Sequence, residues 1–104
     1  MNPWLLLIAA GLFEIVWATA MKASNGFTVL MPSIVTLVAM IISFGLLALA
    51  MRDLPLGTAY GVWVGIGAVG AAILGITMFG DAVTPLRIAG IALVTAGIVA
   101  LKLA

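Results

Sequence analysis

The sequence predicts an all-α integral membrane protein: one domain, residues 1–104, built from four transmembrane helices. Three observations carry that expectation. Of the 104 residues, 66% are hydrophobic and 7% are charged, whereas a soluble domain carries about a quarter charged residues. Long apolar runs recur four times, and each can cross roughly 30 Å of hydrocarbon at a rise of about 1.5 Å per residue. The connections between the runs are short and hold four of the seven charges, Lys22, Arg52, Asp53 and Asp81.

The first span runs from about Trp4 to Met21, with Glu14 as its only charge. Met1-Asn2-Pro3 offers no basic n-region. The apolar run behind it contains Glu14 and no evident cleavage site, so it reads as a retained span and not a signal peptide. Lys22-Ala23-Ser24-Asn25-Gly26 reads as a basic last turn followed by a glycine stop. The second span, about Pro32 to Met51, is uncharged. Arg52-Asp53-Leu54-Pro55 is a tight turn, with Pro55 suited to the first turn of the next helix. The third span, about Leu54 to Phe79, is also uncharged. Gly80 to Pro85 forms the last connection. The fourth span runs from about Pro85 to Leu101, with Arg87 near its start. Pro3, Pro32, Pro55 and Pro85 all fall at helix starts, where a missing N–H costs nothing.

Several chemistries are excluded by composition. There is no cysteine, hence no disulfide, thiolate metal site or sulfur nucleophile. There is no histidine, which removes the usual imidazole base and metal ligand. No metal or cofactor is expected. A net charge of +1 without a basic run leaves nothing for nucleic acid to hold.

Orientation is balanced. Arg52 and Lys102 fall on one side of the membrane, Lys22 and Arg87 on the other. The positive-inside rule therefore gives no bias. Two readings stay open: a weak signal in a chain of fixed topology, or insertion in both orientations. No strong internal repeat is visible. Two copies in opposite orientations would supply the symmetry that inverted-repeat transporters carry in one chain.

Glu14 is the residue that points to chemistry. A carboxyl near the bilayer centre is costly and rare unless it lines a cavity or pairs, and no basic residue lies at comparable depth. Such a group can exchange a proton for a cation. Helical spacing places Ala10, Gly11, Trp17, Ala18 and Met21 on its face; the small residues leave room beside the carboxyl. The Trp17 indole adds a flat surface and an N–H donor for a flat cation. On the second span, Thr36, Met40, Ser43 and Leu47 share a stripe. Ser43 either bonds its own i−4 carbonyl or sits beside Glu14. Tyr60, Trp63 and Gly67 share a face of the third span and either line a cavity or pack. Gly65-Ile66-Gly67 is a candidate kink. Gly90 and Gly97, with alanines between them, make the fourth span a candidate assembly element, or else a packing face within one protomer. Four helices do not readily enclose a wet path shielded from lipid, so a polar cavity around Glu14 implies an oligomer with at least two carboxylates close together.

These residues, taken together, resemble the small multidrug resistance family, and within it the guanidinium-exporter subtype. The matching stretches cover essentially the whole chain. They are Gly11 to Ala18, Lys22 with Ser24 to Thr28, Pro32-Ser33, Leu54 to Trp63, Gly65 to Ala71, Arg87 to Gly90 and Ala96 to Ile98. The resemblance implies an antiparallel, dual-topology homodimer in a bacterial inner membrane, with the fourth helices in contact. It implies a non-enzymatic antiporter exporting guanidinium against protons, with small substituted guanidinyl or quaternary ammonium cations as the wider substrate range. Glu14 of each protomer would bind either proton or substrate. Gly11, Trp17, Ser43, Tyr60 and Trp63 would surround the two carboxylates. Trp17 marks the subtype, since the polyspecific branch usually has glycine there. Gly61, where alanine is expected, departs from the pattern. The alternatives are a polyspecific multidrug cation/proton antiporter and a non-transporting membrane assembly protein.

Overall fold

Asn2 opens the first helix, its side chain accepting the Trp4 N–H at 2.8 Å; such a cap satisfies a donor that the first turn leaves free. The computed structural model describes residues 2–104. Their four helices are α1 (Pro3–Ala23), α2 (Leu30–Ala50), α3 (Leu56–Phe79) and α4 (Pro85–Leu103). All four are long and apolar enough to cross a membrane.

The ends differ from the sequence reading in ways that have physical causes. α2 begins at Leu30, ahead of Pro32; the proline still sits in the first turn, where backbone N–H groups have no intrahelical acceptor. Pro55 is the N-cap of α3 and not a residue of its first turn. The preceding turn is closed by the N–H groups of Asp53 and Leu54 on the Ala50 carbonyl. α1 ends at Ala23 with Ser24 as its cap, before the expected stop at Gly26. Ser24 is fully buried. Its hydroxyl donates to the Met21 carbonyl at 2.6 Å and accepts the Phe27 N–H at 3.0 Å. The chain then turns through Asn25, Gly26 and Phe27, all with positive φ.

α1 packs along α2 and α3, α4 packs along α3, and α2 barely meets α3. The core sits at one end of this arrangement. Leu7 and Ala10 of α1, Leu47 and Ala50 of α2, and Ala59, Val62 and Trp63 of α3 form one buried cluster. The alanines let the helix backbones approach closely, which is how helices associate when lipid is as apolar as their side chains. α4 closes on α3 where the latter lacks side chains: a Cβ on Gly65 would lie 2.8 Å from Ile98 Cγ1. At the far end of α4, the Lys102 ammonium sits 4.4 Å from the centre of the Trp4 ring, a cation–π contact that ties it back to the start of α1.

α3 is helical without a break through Gly65-Ile66-Gly67. No residue of α4 is buried, and Gly90 and Gly97 face open space. The protomer is a slab with extents of 38 × 34 × 17 Å. Its thin dimension is less than two helix diameters of about 10–12 Å.

Candidate cation-binding site

Glu14 stands on α1 one turn beyond a hydrogen-bonded junction with α2 and α3. Ser43, fully buried on α2, donates to the Ala10 carbonyl of α1 at 2.7 Å. That carbonyl stands one helical turn before Glu14. Trp63 of α3 donates its indole N–H to the same Ser43 oxygen at 3.0 Å. Ser43 therefore does not bond its own i−4 carbonyl. It joins α1, α2 and α3 directly beneath Glu14.

Above this junction Glu14 is 8% exposed. Its carboxylate lies over Gly67 of α3, where any Cβ would collide with it. Two polar atoms here have no partner: Oε1 of Glu14 and Nε1 of Trp17, both buried and without a hydrogen bond. An acceptor and a donor left open in this way normally cost stability and call for an explanation, such as an ordered water, an ion or a ligand. Both residues line one cleft of about 240 Å³, whose other walls are Ala18, Val64, Gly67, Ala68 and Ala71. That volume is several times the roughly 30 Å³ share of one water molecule.

The residues expected at the site divide into two groups. Glu14, Trp17 and Gly67 meet at the cleft. Ser43 and Trp63 stand behind it in the buried hydrogen-bonded junction. Tyr60, half exposed, touches Trp63 with ring centres 5.6 Å apart. Gly11 packs under Ile66, whose Cγ2 would lie 2.6 Å from a Cβ there, and is not among the residues of the cleft wall. Gly65 faces Ile98 of α4.

Two participants escaped the sequence reading. Phe44 stands edge-on to both Trp17 and Trp63, with centroid distances of 6.3 Å and 5.7 Å. It completes an aromatic chain from Tyr60 to the cleft. An aromatic beside the lone mid-span serine was the available signal. Ala71, which extends the wall begun by Gly67, was also missed; its signal was small residues at i and i+4 on α3, the spacing that keeps one helix face clear.

A buried carboxylate, an indole with a free N–H and a cleft opening between two of four membrane spans define the class. Residues 2–94 match the family model described as Small Multidrug Resistance protein. The chain belongs to that family and is a multi-pass protein of the inner cell membrane. Among its curated relatives, the "Guanidinium exporter" proteins of Escherichia coli (strain K12), Citrobacter freundii and Salmonella typhimurium are each 55% identical over 100 residues, covering 96% of this chain and 95% of theirs.

Proposed function

We propose that the protein exports guanidinium in exchange for protons, without enzymatic chemistry, and works as an antiparallel homodimer. The observation that carries this reading is the pair of unpartnered buried atoms, Glu14 Oε1 and Trp17 Nε1, on two residues that line one cleft. A carboxylate accepts two N–H groups from a planar guanidinium in a fork-shaped pair. The indole face beside it favours a flat cation. The same carboxylate can instead take a proton. Because one site cannot hold both, loading a cation on one side of the membrane releases protons there, which is antiport.

Ser43, Trp63, Tyr60 and Gly11 act in this scheme as surroundings that fix the carboxylates, and Gly65 and Gly67 give α3 the freedom to bend as access alternates. The 17 Å thickness of the protomer leaves the cleft open on its flank, so a second copy must complete it. The unburied face of α4, with Gly90 and Gly97 bare, supplies the contact. The name carried by relatives of 55% identity supports guanidinium over bulky aromatic cations, as does Trp17, which narrows the cleft.

The test is uptake into proteoliposomes driven by a pH gradient. Guanidinium should accumulate with the native protein and fall to the empty-vesicle level with Glu14→Gln, which keeps shape and loses the charge. Exchange retained by that variant would overturn the assignment. A quaternary ammonium compound with a bulky aromatic group should be transported poorly; equal rates for both would make the protein polyspecific.

A further inference from the structure

Beyond the Glu14 cleft a second opening lies farther along the same two helices. It has a volume of about 220 Å³ and is lined by Ala18, Thr19, Lys22, Ala71, Gly75, Phe79 and Asp81. Ala18 and Ala71 line both, so the two openings adjoin along the α1–α3 groove. The registers set them in line. As first and third of successive spans, the two helices run in the same direction. Glu14, Ala18 and Lys22 follow one another at i, i+4 and i+8 on α1; Gly67, Ala71 and Gly75 do so on α3. Facing rows of this spacing stay opposed for two turns, and the small members keep the floor clear. The inner end is the buried Glu14 carboxylate with its open acceptor. The outer end is charged. Asp81 follows the left-handed Gly80 and turns back, its N–H bonding the Gly75 carbonyl at 3.0 Å. Its carboxylate then lies over Gly75, in space a Cβ would need. Lys22 stands on the α1 wall of the same opening.

We propose that this groove is the route by which a small cation reaches Glu14 from the membrane face carrying the first and third loops, and that Asp81 is its outer binding residue. The inference rests on the reading of Glu14 as the exchange site. Asp81 offers an entering cation a first carboxylate at the groove mouth. Lys22 opposes it, setting the mouth near neutrality so that the cation is attracted but not retained. Thr19, whose hydroxyl is engaged by the Ile15 carbonyl at 2.7 Å, gives the passage between them a methyl-lined wall.

Initial rates of guanidinium uptake into proteoliposomes at low and high ionic strength test this. Charges at a water-exposed mouth act through a screened field, so Asp81→Asn should raise the half-saturating concentration roughly threefold at low salt and approach the native value at ~0.5 M salt. Asp81→Glu should restore it. Lys22→Gln should shift it the other way. Thr19→Phe should slow uptake while equilibrium binding of guanidinium to the detergent-purified protein stays unchanged. The proposal is overturned if Asp81→Asn matches the native protein at low salt, if its defect is as large at high salt, or if Thr19→Phe transports at the native rate. Glu14→Gln, measured alongside, separates the two readings. Uptake by that variant would sink the exchange site itself, whereas an inactive Glu14→Gln with a native-like Asp81→Asn would sink only the groove.

Discussion

Gly67 is glycine because the Glu14 carboxylate occupies the place of its side chain. Gly67→Ala should therefore displace the carboxylate from its seat without unfolding α3, since alanine is the better helix former. Guanidinium binding should fall about tenfold or more for a site misplaced by ~1 Å, with helix content by circular dichroism unchanged. Native affinity in that variant would mean that the seat does not matter. Glu14 also makes a prediction about pH with a definite sign. Proton and guanidinium compete for the same carboxylate, so affinity should weaken as pH falls through the carboxyl's titration and level off above it. Each binding event should release protons, read by calorimetry in buffers of different ionisation enthalpy. An affinity constant from about pH 5 to 9 without proton release would remove Glu14 from the site. At this scale the sequence was legible where depth alone decides: a single carboxyl in an apolar span is conspicuous. What faces it was not legible. Gly67 was placed on a face with Tyr60 and Trp63 and in a candidate kink, with nothing to pair it with Glu14, and Gly11 looked like room beside the carboxyl, a place that Ile66 fills.

The helices are held in register at the Ser43 junction. Ser43→Ala removes its bond to the Ala10 carbonyl and leaves the Trp63 indole N–H, on a residue only 7% exposed, without an acceptor. Two magnitudes compete. Interhelical hydrogen bonds in membranes average only about 0.6 kcal/mol, because unfolded helices in lipid still find partners. An orphaned buried donor costs about 1–3 kcal/mol. The orphan dominates here, so a loss of about 1–2 kcal/mol is expected in detergent denaturation, and transport should slow because the turn bearing Glu14 loosens. An unchanged denaturation midpoint would show the junction to be incidental. The four helices themselves were readable from apolar length, and the proline positions marked their starts to within a turn. Their ends drifted because capping is local: Ser24 stops α1 through its own hydroxyl, which a glycine-based reading places too late.

The whole protomer is too thin to shield its own site. With a 17 Å depth and a fourth helix that has no fully buried residue, it presents an apolar face broken by bare glycines at positions 90 and 97. Filling both, as Gly90→Leu with Gly97→Leu, should shift the detergent-solubilised protein from dimer to monomer in light scattering while helix content stays constant. A dimer that survives would move the contact off α4. The balance of Lys22 and Arg87 against Arg52 and Lys102 bears on orientation. A tag at the C-terminus should be labelled from both sides of the membrane in intact cells; labelling from one side only would rule out antiparallel pairing.

The sequence by itself determined that this is a four-span membrane protein, that Glu14 is its one deep charge, and that Trp17 lies one turn from it. These are properties of single helices, set by the length and spacing of residues along each chain segment. Only the tertiary structure decided that Ser43 reaches across to Ala10, that Phe44 bridges two tryptophans, that Glu14 rests on Gly67, and that the clefts at Glu14 and Asp81 adjoin at Ala18 and Ala71. Each depends on how far a helix is rotated about its axis. In water the boundary between apolar and polar faces fixes that rotation; in lipid every face is apolar, and only the packing of small residues and a few buried hydrogen bonds sets it.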